Sequence, residues 1–178
     1  KKKNKIIDAL LKFTNKQKYI PRLTFLIYTK SNYKYKDDYS KKFRYFYLDE
    51  DLEMTYNFER VIFQLQKNNN LGIVVHTRNI DFIKAYLREK NKDNFKKIIL
   101  SSFNKLFEEN TYINKLNDYE NISIMHWRAS QPLGVAVPKT LQFCNDYKIG
   151  FCGDWFEYEG FGRIEGAVLS ALKLAENF

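Results

Sequence analysis

The chain has 178 residues, 44% of them hydrophobic and 17% aromatic, a composition that excludes a disordered chain and suits one domain or slightly more. Its formal net charge is +9, but the lysines are spread along the chain, which argues against a nucleic-acid partner. No signal peptide is visible and no apolar run approaches the roughly 18 residues of a membrane span, so we expect a cytoplasmic protein without a membrane partner.

The first third of the chain predicts a helix followed by strands. Residues 4–14 place apolar side chains at helical spacing. Tyr19–Thr29 is β-branched and aromatic and predicts a strand, with its proline near the start, where proline is tolerated. Residues 30–43 are polar and predict a surface loop or hairpin tip, and Phe43–Leu48 predicts a short strand.

A hairpin and a capped helix follow in the middle of the chain. Arg60–Gln66 alternates in polarity, Lys67–Leu71 is a turn rich in asparagine, and Gly72–Thr77 predicts the second strand. Asn79 or Asp81 then caps a helix. The apolar face of that helix is formed by Phe82, Ile83, Tyr86 and Leu87.

The next segment contains the most strongly periodic helix, over Asp93–Phe107. Its apolar stripe comprises Phe95, Ile98, Ile99, Ser102, Phe103, Leu106 and Phe107. Residues 108–120 predict a polar connection, Asn121–Ala129 a strand, and 130–147 an irregular stretch. This order of elements predicts the α+β class, an antiparallel or mixed sheet with helices packed on one face.

The end of the chain predicts a short buried strand at Ile149–Gly153 and a helix from Arg163 or Ile164. The expected inner face of this helix is Ile164, Val168, Ala171, Leu172 and Ala175. Glycine at a strand exit lets a ligand approach the backbone, and ligands of α/β sheets lie beyond the carboxyl ends of strands. Asp154 stands directly at that exit.

The start of this last helix has features of an anion or polar-ligand site. Helix N-termini carry unpaired N–H groups and a partial positive charge. Arg163 is unfavourable there unless an anionic group is near, while Glu165 suits the dipole. Gly166 and Ala167 are small enough to admit a flat ligand. A plain glycine turn with a packed strand and helix explains the same residues equally well.

The segment from Gly153 onward resembles the C-terminal signature of flavin-containing amine oxidases, most closely the renalase-like branch. The matching residues are Gly153, Asp154, Arg163, Ile164, Glu165, Gly166, Ala167 and Ser170. Upstream, Trp127, Arg128 and Pro132 match the Trp-Arg-aromatic-Ala-Xaa-Pro strand of that family, although Ala129 replaces the aromatic residue. The resemblance is specific only from Met125 onward.

The resemblance implies an FAD-dependent oxidoreductase that transfers a hydride to FAD from an amine or a reduced-dinucleotide-like substrate. It implies that Gly153, Asp154, Arg163, Ile164, Glu165 and Gly166 contact the cofactor. Trp127 and Trp155 are candidates for lining the flavin or substrate pocket, Trp127 with support from the resemblance, although aromatic residues on strands usually belong to the core. Residues 1–145 would form a substrate-binding α+β domain. Residues 146–178 would be the strand and helix that complete an FAD-binding Rossmann-like domain.

The dinucleotide fingerprint of that family, Gly-Xaa-Gly-Xaa-Xaa-Gly after an N-terminal strand, is absent from this sequence. We therefore expect the chain, which also lacks an initiator methionine, to be the C-terminal part of a longer protein. Its expected partners are a small-molecule substrate and the N-terminal FAD-binding half, with a homodimer as a further expectation. On its own it would bind FAD weakly or not at all and would be inactive.

Two other functions remain open, a non-catalytic remnant or binding domain and, with less support, a basic nucleic-acid-binding protein. No nucleophile–base pattern and no metal cluster is visible, so no catalytic residue is assigned and no metal is expected. His76 and His126 are expected to be ordinary core or surface histidines. Cys144 and Cys152 match no zinc or redox spacing and are expected to be buried free thiols.

Overall fold

The computed structural model describes residues 4–30, 45–65, 71–109, 116 and 119–177. Within them the helices are α1 (Lys5–Thr14), α2 (Glu50–Tyr56), α3 (Ile80–Arg88), α4 (Asp93–Glu109) and α5 (Ile164–Ala175), with a 3-10 turn at Lys139–Leu141. The strands are β1 (Lys18–Thr29), β2 (Tyr45–Tyr47), β3 (Arg60–Leu65), β4 (Leu71–Thr77), β5 (Tyr119–Leu133), β6 (Phe143–Cys144) and β7 (Ile149–Gly150).

The chain divides into two compact units. The terminal unit comprises Lys1–Ile20 and Ala129–Phe178, and the central unit comprises Pro21–Arg128. The boundaries between these units lie at residues 20/21 and 128/129 and differ from the expected boundary at residue 145. The assignment of a substrate-binding domain to 1–145 and an FAD-domain unit to 146–178 stays a prediction.

The main sheet has five strands in the order β2–β3–β4–β1–β5. The pairs β2–β3, β3–β4 and β1–β4 are antiparallel. Phe25 of β1 and Val61 of β3 both pair with Val75 of β4, so these side chains share one face of the sheet. The predicted α+β class and the β3–β4 hairpin are confirmed.

That face carries the core of the central unit. Its buried strand residues are Leu23, Phe25, Ile27, Val61, Phe63, Ile73 and Val75. The helices α3 and α4 add Ile83, Phe95, Ile99, Phe103 and Phe107 to the same cluster. Removing this much apolar surface from water is the main source of the unit's stability. The other side of the sheet carries Arg60, His76 and Thr24, which pair across β3, β4 and β1; we call it the polar face.

The terminal unit has a smaller core. Leu10 of α1 packs with Val137 and Phe156, which form an isolated parallel bridge. Asn4 caps α1 by accepting hydrogen bonds from the amides of Ile6 and Ile7. The short strands β6 and β7 pair antiparallel, and α5 is the last element of the unit in chain order.

Several local predictions differ from the structure. α2 was not predicted, because its seven residues carry too few apolar side chains to show a period, although Asp49 caps it. β5 continues to Leu133, four residues into the stretch at 130–147 that is expected to be irregular. Ile98 and Leu87 are exposed rather than inward-facing. Most of the predicted loops at 30–43, 67–71 and 108–120 lies outside the described residues.

Candidate functional site

The segment from Gly153 to Arg163 is a closed loop that leads into α5. The amide of Gly162 donates to the carbonyl oxygen of Asp154 at 2.7 Å, and the amide of Arg163 donates to that of Gly160 at 2.8 Å. Gly160 and Gly162 have φ angles of 81° and 74°, which glycine adopts without the strain of a side chain. The loop therefore delivers Arg163 to the start of the helix in a fixed position.

Gly160 in this loop lies directly against Gly166 in the first turn of α5. A Cβ atom at Gly166 would stand 2.5 Å from the carbonyl oxygen of Gly160, and one at Gly160 would stand 2.9 Å from the amide nitrogen of Gly166. The loop backbone thus fills the space that the small residue leaves on this side. A flat ligand at that position would have to displace the loop.

Trp155 fills the corresponding space at Gly153. A Cβ atom at Gly153 would overlap Nε1 of Trp155. The amide of Gly153 donates to Oγ of Ser170 at 2.7 Å, and that buried hydroxyl donates to the carbonyl oxygen of Ala167 at 3.1 Å. Ser170 therefore connects the loop to α5. It is one of the residues that match the family signature, and the resemblance assigned it no role.

Asp154 is half-buried at the beginning of the loop. Burial and, as the second cause, the negative charge of Asp154 raise the pKa of Tyr19 in β1. The Asp154 carboxylate therefore lies within electrostatic range of a phenol of the same unit.

The N-terminal end of α5 is accessible on its outer side. Arg163 is the N-cap residue with an extended backbone, and no described side chain caps the helix. Ile164 is 81% exposed, and Arg163 and Glu165 are exposed as well. These three predicted cofactor contacts lie together at the exposed helix start, where unpaired N–H groups favour an anionic or polar acceptor. Gly166 lies on the buried side of the same turn.

The described residues fit only part of FAD. The first turn of α5 can receive one edge of a flavin ring from the side of Ile164 and Glu165, whereas the surfaces beside Gly153 and Gly166 are filled by the protein itself. β7 has two residues and pairs antiparallel with β6, whereas dinucleotide-binding α/β units use parallel strands. Among the described residues, a flavin would therefore meet only the exposed side of this first turn.

The predicted inner face of α5 is wrong. The helix buries Gly166 and Ser170, and it turns the predicted face outward. Three exposed apolar residues of that face are Ile164 (81%), Val168 (51%) and Leu172 (60%). The loop packs against the side of the helix that carries Gly166 and Ser170, where the backbone of Gly160 leaves no room for a larger side chain at Gly166.

The expectation of two buried thiols is half correct. Cys144 is buried, but Cys152 is exposed. The strand expected to run to Gly153 ends at Gly150, so Cys152 lies in the segment that follows it rather than inside a strand.

A second group of candidate site residues lies on the polar face of the central unit. The indole Nε1–H of Trp127 donates to Oγ1 of Thr24 at 3.0 Å, and Oγ1 of Thr24 lies 2.9 Å from Nδ1 of His76. Trp127 as a whole residue is still 46% exposed. Trp127 is thus a fixed aromatic surface that a bound molecule could stack against.

The environment of His76 is positive and partly desolvated. Burial is the largest cause, followed by the charges of Arg60 and Arg22, and together they lower the pKa of His76 from 6.5 to about 4. The imidazole is therefore neutral at neutral pH. Groups with strongly shifted pKa values cluster at functional sites, which makes His76 a candidate.

An ion-pair network with largely buried carboxylates adjoins His76. Arg22 lies 2.8 Å from Glu59, and Arg78 lies 3.2 Å from Glu59 and 3.0 Å from Glu53. Burial is the main cause that raises the pKa of Glu59, and Arg22 and Arg78 oppose it. Burial likewise lowers the pKa of Arg22, and Glu59 opposes it. The paired carboxylates offset much of the positive charge of this face.

The predicted site residues thus fall into two groups. The six predicted cofactor contacts and Trp155 belong to the terminal unit, and Trp127 belongs to the central unit. Sequence reasoning missed Thr24 altogether and did not assign a role to His76. The alternation of both strands places these residues on one face, but only the register of β1 with β4 brings them opposite each other.

Among the residues that the structure describes, no three His, Cys, Asp or Glu side chains are arranged to hold a metal ion. No helix in the described ranges is long and apolar enough to cross a membrane. Comparisons with protein-family models and with curated proteins found no match to this chain.

Proposed function

We propose that the chain is the C-terminal part of an FAD-dependent oxidoreductase of the amine oxidase type, with a renalase-like signature. The observation that carries the proposal is the exposed helix start of α5, which no described side chain caps and which begins at the matching residues Arg163, Ile164 and Glu165. A bound FAD would accept a hydride from an amine or a reduced-dinucleotide-like substrate and pass its electrons to O₂.

The role proposed for this helix start is electrostatic. The N–H groups of the first turn would face the pyrimidine edge of the flavin ring, where negative charge develops on reduction. Arg163 adds a full positive charge at the same end. Gly153 and Ser170 hold the loop against the helix, so the N–H groups are fixed before a ligand arrives.

The polar face supplies a candidate surface for the substrate. Trp127 is held through its indole nitrogen by Thr24 and remains exposed, and Thr24 also contacts His76. A planar substrate could stack on Trp127 while a polar group meets His76.

The partner proposed for the terminal unit is the N-terminal FAD-binding half of the same protein. The apolar stripe of Ile164, Val168 and Leu172 is exposed and would be covered by that half. A homodimer through the same stripe is the alternative. Sedimentation velocity distinguishes the two, since a monomeric chain at high concentration excludes the homodimer.

A non-catalytic binding domain is the second candidate function. It is favoured by the packing of Gly160 on Gly166 and of Trp155 on Gly153, because both glycines then serve the fold without a cofactor. The two candidates differ in whether the start of α5 recognises a flavin.

The test is a titration of the ¹⁵N-labelled chain with millimolar FMN, followed by amide chemical shifts. We expect the amides of Ile164, Glu165 and Gly166 to shift, with Arg163→Ala weakening the response several-fold. Lys173→Ala, at the opposite end of α5 and exposed, is the matched control and should respond like the unmodified chain. AMP, which corresponds only to the adenosine half of FAD, should leave the chemical shifts of these amides unchanged.

No shift at the start of α5 with FMN, or the same shifts with AMP, would overturn the flavin proposal and leave the binding domain as the better description. An equal loss of response in Arg163→Ala and Lys173→Ala would show that general positive charge, and not the helix start, attracts the flavin phosphate.

A further inference from the structure

The hydroxyl of Thr24 sits between two nitrogen atoms on the polar face. Its oxygen accepts the indole N–H of Trp127 at 3.0 Å and lies 2.9 Å from Nδ1 of His76. Thr24 is 4% exposed, so water has little access to the hydroxyl. Among the described residues these two side chains are its only hydrogen-bond partners.

The proton positions follow from this geometry. The indole N–H can only donate, so the oxygen of Thr24 acts as an acceptor toward Trp127. If Nδ1 of His76 also donated to Thr24, the buried hydroxyl proton would have no acceptor among the described residues, and a buried donor without an acceptor is destabilising. The hydroxyl therefore donates to Nδ1, which must be unprotonated, and the ring proton lies on Nε2.

We propose that Thr24 is a positioning residue that fixes His76 as the neutral Nε2–H tautomer, so that His76 presents a hydrogen-bond donor to a molecule bound beside Trp127. The remaining ring nitrogen of His76 has no partner among the described residues. Rotation of the ring would break the contact with Thr24, which holds the donor in one direction.

The charged groups around the ring support a neutral imidazole. Arg60 pairs with His76 from β3, and Arg22 approaches from β1, while Glu59 is engaged by Arg22 and Arg78. Both arginines oppose protonation of the ring. The pKa of His76, lowered to about 4, agrees with this arrangement.

The consequence for a ligand rests on the proposed function, whereas the tautomer does not. A molecule that stacks on Trp127 would meet an N–H donor near two arginines. Such a site selects a hydrogen-bond acceptor, such as a carbonyl or carboxamide oxygen. It disfavours a protonated amine, which offers only donors and a positive charge. Among the substrate classes above, this argues against the amine.

The test is ¹⁵N NMR of the imidazole nitrogens in the flavin-free chain near neutral pH. We expect the ¹⁵N chemical shift of Nδ1 of His76 to be that of an unprotonated nitrogen, and the shift of Nε2 to be that of a protonated nitrogen. Thr24→Ser keeps a hydroxyl and should retain this pattern. Thr24→Val keeps the shape of the side chain without the hydroxyl donor. In this variant the two imidazole ¹⁵N signals of His76 should move toward the average of both tautomers, and the indole N–H signal of Trp127 should change.

Two results would overturn the proposal. One is a protonated Nδ1 in the unmodified chain, a measurement that needs no variant to fold. The other is an unchanged Nε2–H tautomer in Thr24→Val. Because no flavin is present, these outcomes are separate from the success or failure of the FMN titration.

The ligand consequence has its own matched probes, benzamide and benzylamine. Benzamide should shift the Nε2 signal of His76, and benzylamine should not. A stronger response to benzylamine would overturn the assignment of an acceptor-bearing ligand, even with the tautomer as proposed.

Discussion

Gly160 and Gly166 approach each other so closely that neither position has room for a side chain. The distance from an added Cβ atom at Gly166 to the carbonyl oxygen of Gly160 would be 2.5 Å, shorter than any relaxed contact of this kind. The neighbour is backbone, which cannot rotate away as a side chain does. The glycine in the first turn of α5 is therefore required by the loop that feeds the helix.

The first prediction follows from this contact and concerns Gly166→Ala. In an open helical site this substitution stabilises a protein by about 1 kcal/mol. Here we expect the opposite, a loss of about 1–3 kcal/mol, because the loop at Gly160 must shift to admit a methyl group. Urea unfolding measures the difference. A variant more stable than the unmodified chain would show that the loop yields freely at this point.

Ser170→Ala tests the second link between the loop and α5. The substitution leaves the amide of Gly153 without its acceptor at 2.7 Å. We expect a loss of about 1 kcal/mol in the free energy of unfolding, since Gly153 is only half-buried and water compensates in part. Ser101→Ala, at an exposed position of α4, is the matched control and should change stability by less than about 0.5 kcal/mol. Equal effects at both serines would argue against a structural role of this hydrogen bond.

The fold was predictable where side-chain pattern alone decides it, as in β1, the β3–β4 hairpin and α4. The pattern failed where close packing decides. The sequence shows Ile164, Val168 and Leu172 as an apolar face of α5, and nothing local reveals that Gly166 and Ser170 accept the loop instead. The pair of Thr24 and His76 depends on the register of β1 with β4. That register brings together residues that are 52 positions apart in the sequence, and the sequence of neither strand predicts it.

The third prediction concerns the dependence of stability on acidity through His76. Its folded-state pKa of about 4 lies below the ordinary value of 6.5, so the unfolded chain binds more protons between these values. This contribution to stability is fully present above the ordinary value and is lost as pH falls from 6.5 to about 4. Glu59, whose pKa is raised by burial, contributes with the opposite sign.

The comparison with His76→Gln separates the two groups, because Glu59 is present in both proteins. Unfolding free energies measured by urea between neutral and acidic pH should fall less steeply in the variant. Parallel curves for the two proteins would mean that His76 is protonated in the folded state as readily as in the unfolded chain.

The last prediction concerns the buried ion pair of Arg22 and Glu59. Their side chains are 9% and 12% exposed and 2.8 Å apart. Glu59→Gln would leave the guanidinium of Arg22 buried without its negative partner. We expect a loss of about 3–5 kcal/mol, the usual effect of removing one member of a buried pair.

The matched control is Glu176→Gln, which removes the carboxylate that pairs with Lys173 at 2.6 Å on the surface. Both members of that pair are more than half exposed, and such pairs contribute little because water and salt screen them. The urea midpoint of this variant should stay where it is in the unmodified chain. If Glu59→Gln behaved in the same way, Arg22 would have to reach water or Glu53 once Glu59 is neutral. The network on the polar face would then be adaptable rather than fixed.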